Sequence, residues 1–229
     1  DDSIMSLAIA DALMQVEPDY RERMLYYGRK YPNPVGGYGG SFARWLASSD
    51  PQPYNSWGNG SAMRVSAIGW VFNTLTSVQV EAAASAEVTH NHTEGIRGAV
   101  AVATAVYMAR CGHSKQDIMR QMRSLGYHYD NFTIVGIKQA YGFNETCMET
   151  VPAALRCFHE SIDYVDCIRM AVSLGGDADT LACIAGAVAE AYYGAESIPS
   201  FLVEQALATL PPDLLAVYLE FKKRFCCGQ

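Results

Sequence analysis

The chain has 229 residues, of which 50% are hydrophobic and 18% are charged, so it can bury a full core and is not intrinsically disordered. Its formal net charge of -7, from 17 Lys and Arg against 24 Asp and Glu, argues against a general nucleic-acid-binding surface but is compatible with a small anionic substrate. No uninterrupted apolar run of about 18 residues occurs, so we expect no membrane span.

Helical spacing of apolar residues runs through most of the chain. In chain order, the predicted helices are residues 3–16, 20–30, 41–47, 62–75, 80–88, 95–110, 114–124, 150–161, 163–173, 181–193, 198–210 and 212–225. The glycine-rich segments 31–53 and 125–144 are predicted loops, and the second is either a lid or only a capping loop. No strand alternation, repeat or linker stands out, so we expect one all-α bundle, residues 1–229, of about ten helices.

The seven cysteines form neither a C-x-x-C zinc pattern nor an evident disulfide framework. Most lie in apolar or helical surroundings, which is typical of small core residues. Metal or redox chemistry at the adjacent Cys226 and Cys227 is the less favoured alternative. A reducing, cytoplasmic setting is therefore the expectation.

Acidic residues open two of the predicted helices, far apart in the sequence. Asp1 and Asp2 precede the first helix, and Asp177, Asp179 and Thr180 follow a glycine pair before another. Their hard oxygen donors suit Mg²⁺, Mn²⁺ or Ca²⁺ rather than zinc. Helix capping is the alternative, but a cap needs only one such residue. We therefore predict that the two helix starts converge on one metal site.

A glycine-punctuated loop, residues 56–61, precedes another predicted helix. Asn59 and Ser61 could cap that helix, and the exposed N–H groups and helix dipole could also hold a pyrophosphate. Trp57 could belong to the core or stack on a ligand. Arg64 could touch phosphate, but we expect it to form an ion pair behind the loop.

Two histidines, His90 and His92, lie at a predicted helix junction. Residues two apart do not share a helix face, which argues against a metal-binding pair. Histidine at such a junction more often forms a structural hydrogen bond, and we interpret His92 in this way.

Taken together, these stretches resemble the ADP-ribosylglycohydrolase family, the group of dinitrogenase-reductase-activating glycohydrolases and ADP-ribosylhydrolases. The resemblance is carried by residues 1–3, 56–64, 89–90 and 175–180, together with Ala182, Ala185, Gly186 and residues 191–194. These motifs occur in the family's order over almost the whole chain, so the match is far more specific than a single short motif.

The resemblance implies an all-α bundle with two Mg²⁺ (or Mn²⁺) ions at its centre and ADP-ribose lying across them. By resemblance, the metal ligands are Asp1, Asp2, Asp177, Asp179 and Thr180, and the residues that hold substrate are Ser56, Trp57, Asn59, Gly60, Ser61 and His90. Asp2 and Asp179 are the candidates for water activation and ribose orientation. The implied reaction is hydrolysis at ribose C1, and the implied partner is an ADP-ribosylated protein or ADP-ribose itself.

The chain departs from the family pattern in two places. The family's N-terminal helix and the Thr before its first acid pair are expected to lie outside this sequence, which does not begin with Met. The Tyr of arginine-directed members is replaced by the Thr-Cys-Met of residues 146–148. Glu149 with Tyr127, Tyr129 or Tyr141 could form a substitute wall for a planar cation.

The bacterial-type pattern at residues 56–60 and 150–152 favours ADP-ribosyl-arginine as the substrate. The alternatives are ADP-ribosyl-serine or another O- or base-linked adduct, and a catalytically inactive ADP-ribose-binding protein. A structural calcium site is disfavoured because no EF-hand loop occurs. We expect the protein to be a monomer.

Overall fold

A computed structural model of the chain describes residues 1–226, which are helical with connecting turns and loops. The helices are α1 (Asp2–Leu13), α2 (Tyr20–Lys30), α3 (Gly40–Ala47), α4 (Gly60–Met63), α5 (Ser66–Val71), α6 (Leu75–Glu87), α7 (Thr93–Arg110), α8 (Lys115–Ser124), α9 (Ile134–Ile137), α10 (Cys147–Glu160), α11 (Tyr164–Ser173), α12 (Ala178–Tyr193), α13 (Ser200–Thr209) and α14 (Pro212–Phe221). A 3₁₀ turn, Ala195–Ser197, and a π turn, Lys222–Cys226, complete the helical structure.

The predicted all-α class is confirmed for these residues, among which no strand forms and extended pairing is limited to one bridge between Gly58 and Thr146. No helix in the described part of the chain is long and apolar enough to cross a membrane.

The centre of the bundle is formed by α7 and α12, which contact each other and α4, α5 and α10. Both helices are rich in alanine, and most of their alanines are fully buried. Small side chains let helix backbones approach closely and leave few voids. The starts of α1, α4 and α12 also contact one another, so that three helix beginnings meet at one end of the core.

The predicted helix 62–75 is wrong in its extent, because it is divided into α4 and α5. The Arg110 side chain donates hydrogen bonds to the carbonyls of Trp70 and Phe72, which satisfies the end of α5. Thr74 then caps α6 by accepting a hydrogen bond from the Ser77 N–H, so α6 begins earlier than predicted.

Helix α10 begins at Cys147, three residues before its predicted start. The Cys147 N–H donates to the Trp57 carbonyl at 3.0 Å, which fixes the new first turn against the loop 56–60. Thr150 is therefore inside the helix and not its N-cap, and Pro152 lies beyond the first turn. The Thr150 hydroxyl is free to interact with the loop instead.

The loop 125–144 contains the short helix α9 and ends against the start of α12. Gly176 has φ of +63°, a conformation that favours glycine, and a β-carbon there would lie 2.7 Å from the Gly142 carbonyl oxygen. This close approach lets the end of the loop pack beside Asp177, at the edge of the site described next.

Candidate active site

A cavity of about 370 Å³ opens where the helix starts meet, within the size range of small-molecule sites. Its wall combines acidic residues of α1 and α12 with the glycine-rich segment 36–40 and parts of the loop 54–60. Of the predicted metal ligands, Asp1, Asp177, Asp179 and Thr180 line this cavity. Gly36 brings the glycine-rich segment over the acids, because a β-carbon there would lie 3.5 Å from Asp179 Oδ2.

The acidic residues at the helix starts do not act as helix caps. Asp1 and Asp177 occupy the N-cap positions of α1 and α12, but neither side chain accepts a capping hydrogen bond. Asp177 Oδ2 instead accepts a 2.6 Å hydrogen bond from the Asn59 side chain. The capping explanation for these residues is therefore wrong, and their carboxylates face the cavity.

Three carboxylates concentrate negative charge at this end of the bundle. Burial, reinforced by the charge of Asp179, raises the pKa of Asp2. Burial also raises the pKa of Asp177, with Asp179 adding to the shift and the Asn59 hydrogen bond opposing it. Asp2 is not part of the cavity wall, but its Oδ1 is buried and has no hydrogen-bond partner among the described residues.

This arrangement fits a hard divalent cation by its chemistry. The donors are all oxygens, and a cation would relieve both the repulsion among the carboxylates and the unmet bonding of Asp2 Oδ1. Within residues 1–226, no group of three or more His, Cys, Asp or Glu side chains already has the spacing of a metal site. The oxygen donors therefore lie at one cavity, but the side chains are not already arranged around a common metal position.

The loop 56–60 is clamped against the start of α10. The Asn59 N–H donates to the Glu145 carbonyl at 2.7 Å, and the Cys147 thiol donates to the Gly58 carbonyl at 3.0 Å. Ser56 Oγ accepts a hydrogen bond from the Gly58 N–H at 3.1 Å. The helix that follows, α4, is a single turn, so the predicted helix-dipole contribution to phosphate binding does not apply.

Four of the six predicted substrate-binding residues line the cavity, namely Ser56, Asn59, Gly60 and His90. Trp57 does not, because it is 49% exposed on a neighbouring depression with its ring edge against His92. Ser61 does not either, because it is fully buried and donates to the Gly95 carbonyl at 2.7 Å. Neither Asn59 nor Ser61 caps α4, so that alternative is wrong as well.

His90 and His92 have the different environments that the sequence indicated. His90 is buried on the cavity wall, with Nδ1 at 2.7 Å from Thr89 Oγ1. His92 occupies the N-cap of α7, and its Nδ1 accepts a hydrogen bond from the Glu94 N–H. Burial, together with the nearby charge of Arg64, lowers the pKa of His90 well below its usual range.

Arg64 lacks the ion pair predicted for it. Its guanidinium is buried and donates to the Ser85 carbonyl and to Thr89 Oγ1, and no carboxylate among the described residues pairs with it. The space behind the loop is filled by helix α6 and its end, which present a carbonyl and a hydroxyl instead of an acid.

Phe143 and Glu145 are among the cavity residues that the sequence did not indicate. Both lie in an irregular segment, where no periodicity identifies the inward side chains. The aromatic residues suggested instead are not available, since Tyr127 and Tyr129 are buried and none of the three tyrosines lines the cavity. Glu149 is exposed and lies outside the cavity as well.

Comparison with known proteins identifies the family of this chain. The family model ADP-ribosylglycohydrolase matches residues 1–222. ADP-ribosylhydrolase ARH3 of Bos taurus is 27% identical over 94% of this chain and 76% of its own length, and the Homo sapiens protein of that name is 26% identical with the same coverage. ADP-ribosyl-[dinitrogen reductase] glycohydrolase of Rhodospirillum rubrum is 27% identical over 62% of this chain and 48% of its own.

A solved structure is similar along nearly the full chain. The ADP-ribosylglycohydrolase-related protein complex superposes with a TM-score of 0.73 and 26% identity, covering 97% of this chain and 80% of that one. The family match spans both acid-bearing helix starts and the loop between them. The chain therefore belongs to the ADP-ribosylglycohydrolase family, enzymes that hydrolyse the glycosidic bond of ADP-ribose adducts.

Proposed function

We propose that this protein is a divalent-metal-dependent hydrolase that releases ADP-ribose from modified arginine side chains and so reverses mono-ADP-ribosylation. One observation carries the proposal: the Asn59 side chain joins the loop 56–60 to Asp177, so that a ligand-binding loop and an oxygen-rich acidic cluster share one cavity. A phosphate-containing ligand needs the first feature, and a hard cation needs the second.

The acidic cluster would hold two Mg²⁺ or Mn²⁺ ions through Asp1, Asp2, Asp177, Asp179 and Thr180. Such ions, when bound, supply Lewis acidity at the ribose and lower the pKa of a coordinated water. Asp179 on the cavity wall and Asp2, whose buried Oδ1 has no partner among the described residues, would orient the ribose hydroxyls and accept the proton of the attacking water.

The diphosphate and ribose would bind along the loop 56–60. Gly58 and Gly60 carry no side chain on the cavity wall, so a phosphate can approach the backbone closely there. The Gly58 and Asn59 N–H groups already donate to Ser56 Oγ and the Glu145 carbonyl, so the Gly60 N–H is the candidate donor. Ser56 and His90 add a hydroxyl and an imidazole beside them. Hydrolysis at ribose C1, through an oxocarbenium-like transition state, would then give free ADP-ribose and the unmodified side chain, whose leaving nitrogen takes up the proton lost by water.

The choice between an arginine and a serine linkage is inferred from the part of the cavity wall that would contact the modified side chain. A guanidinium is planar and cationic, and it suits a wall that offers an aromatic face and a carboxylate. Phe143 and Glu145 line the cavity and supply these two groups, and 68% of the Phe143 surface is exposed. They take the place of the tyrosines that the sequence suggested, which supports arginine over serine as the acceptor.

The proposed linkage is tested by kcat/KM for ADP-ribosyl-arginine and ADP-ribosyl-serine on matched peptides with Mg²⁺ and with Mn²⁺. We expect faster release from arginine by about tenfold or more, roughly 1.4 kcal/mol in transition-state stabilisation. Faster release from serine by the same factor would contradict it.

A pair of variants tests which carboxylate recognises the leaving group. Glu145→Gln should reduce the preference for arginine, because it removes the charge on the cavity wall. Glu149→Gln is the matched control, since Glu149 is exposed and lies outside the cavity. An equal effect of the two variants would mean that Glu145 does not contact the arginine side chain.

A further inference from the structure

Arg64 is a buried cation on the wall of the cavity. Its side chain is 1% exposed, and it pairs with no carboxylate among residues 1–226. Nη2 donates to the Ser85 carbonyl at 3.1 Å and to Thr89 Oγ1 at 2.9 Å, while Nε has no hydrogen-bond partner in the described residues. Burying a guanidinium that has no carboxylate partner costs desolvation free energy. We therefore expect Arg64 to have a function in this site that offsets the cost.

Arg64 limits the hydrogen bonds that the Thr89 hydroxyl can form. Guanidinium nitrogens only donate, so Thr89 Oγ1 must accept from Arg64 and keeps its single hydrogen for another partner. The nearest candidate is His90 Nδ1, which lies 2.7 Å from the same oxygen. The Tyr54 phenol is the competing partner for this hydrogen, because burial raises the pKa of Tyr54 and its interaction with Thr89 lowers it.

The hydrogen bond from Thr89 determines the state of the His90 ring. A neutral imidazole has one donor and one acceptor nitrogen, so an accepting Nδ1 leaves the hydrogen on Nε2. Burial, with the charge of Arg64, lowers the pKa of His90 and keeps the ring neutral near pH 7. Nε2 points to the ligand loop, because β-carbons on Gly58 and Gly60 would lie 3.5 Å and 3.3 Å from it.

We propose that Arg64 and Thr89 are positioning residues that hold His90 as the Nε2–H tautomer, so that it donates a hydrogen bond to an anionic oxygen in the cavity. The identity of that oxygen, a phosphate oxygen of ADP-ribose, rests on the proposed function, whereas the tautomer does not. The opposite tautomer, with hydrogen on Nδ1, would require Thr89 to donate to Tyr54 and would place a lone pair of Nε2 toward the anion.

The tautomer is measured by ¹⁵N NMR of histidine-labelled protein without added ligand, with the His90 signals assigned by their loss in His90→Gln. We expect the hydrogen on Nε2 in the parent protein. Thr89→Val removes the hydroxyl at similar volume and should give a mixture of tautomers, while Thr89→Ser should restore the parent signature. A merely structural role for Thr89 would alter stability but not the position of this hydrogen.

Binding of ADP-ribose, measured by calorimetry on the same proteins, connects the tautomer to the ligand. Thr89→Val should weaken binding by about tenfold, the order expected for a lost hydrogen bond to a charged group, and Thr89→Ser should not. A parent His90 with its hydrogen on Nδ1 would overturn the inference. So would a Thr89→Val protein with the parent tautomer and affinity. If the tautomer is as expected but the parent does not bind ADP-ribose, the proposed function fails and the positioning role stands.

Discussion

Asn59 Nδ2 donates a 2.6 Å hydrogen bond to Asp177 Oδ2 across a sequence separation of 118 residues. The same nitrogen lies 3.1 Å from Thr150 Oγ1, and the Asn59 N–H is bound to the Glu145 carbonyl. One buried side chain thus connects the loop 56–60, the start of α10 and the acidic cluster. The bond fixes one oxygen of Asp177, so a cation held by the cluster and a phosphate held by the loop, as we propose, would have a defined separation.

Asn59→Ala should therefore impair both metal binding and turnover. Removing a buried hydrogen bond to a charged group costs about 1.5–3 kcal/mol, which corresponds to a loss of roughly tenfold to a hundredfold in kcat/KM. Asn73→Ala is the matched control, because Asn73 is exposed and its side chain forms no described hydrogen bond. Parent values of Mn²⁺ affinity and kcat/KM in Asn59→Ala would contradict the connecting role.

The charge on Asp2 should destabilise the metal-free protein. Burial and the nearby Asp179 raise the pKa of Asp2, which means that its charged form is disfavoured in the folded state. Asp2→Asn should therefore raise the Tm of metal-free protein, by ~2–4 °C if the gain is about 1 kcal/mol, while reducing the further rise on adding Mg²⁺. Glu17→Gln, at an exposed position, should change neither. A lower Tm for metal-free Asp2→Asn would show that the carboxylates do not repel one another.

A side chain at Gly60 should obstruct the ligand loop. A β-carbon there would lie 3.3 Å from the His90 ring, so Gly60→Val must displace that ring or block the approach of phosphate. We expect ADP-ribose binding to weaken by more than ~1 kcal/mol, measured by calorimetry on folded protein. Gly142→Val is the control, since nothing lies within 4 Å of a β-carbon at that position. Unchanged affinity in Gly60→Val would refute a close phosphate at this point.

Substitution of the two histidines should have different effects, on ADP-ribose affinity at His90 and on stability at His92. His90→Ala removes a cavity residue and should weaken ADP-ribose binding by about tenfold. His92→Ala removes the N-cap of α7, which should lower stability by about 1 kcal/mol and leave binding near the parent value. Calorimetry and thermal unfolding on both variants provide the comparison. Equal losses of affinity would mean that His90 does not face the ligand.

The fold class and the acidic part of the cavity could be predicted from the sequence because they depend on local signals. Helical spacing identified the bundle, and acid pairs marked the two helix starts that line one cavity. The acid pattern could not reveal that Asn59 bonds to Asp177, because that contact depends on the packing of α4 against α12. A single domain, a monomeric state and a cytoplasmic location stay predictions.

The residues whose positions differ from those expected from the sequence do so for a common physical reason. Ser61 belongs to the loop motif, but the one-turn helix α4 rotates its hydroxyl inward to the Gly95 carbonyl. Trp57 is turned outward by the extended pairing of its neighbour Gly58 with Thr146. Phe143 and Glu145 enter the cavity from a loop whose path is set by its contact with Gly176. Each orientation is decided by tertiary contacts between distant segments.

The most direct test of a metal-dependent hydrolase is release of ADP-ribose from ADP-ribosyl-arginine peptide during a titration with Mg²⁺ or Mn²⁺, alongside the Asp177→Ala, Asp179→Ala double variant. The exposed pair Glu17→Gln, Glu204→Gln controls for the loss of two acids. We predict no release in chelator, saturable release with added ion in the parent and the control, and neither release nor an ion-dependent rise in Tm in the double variant. Equal release in chelator and in metal, or a double variant that responds to ions like the parent, would contradict the assignment of this site.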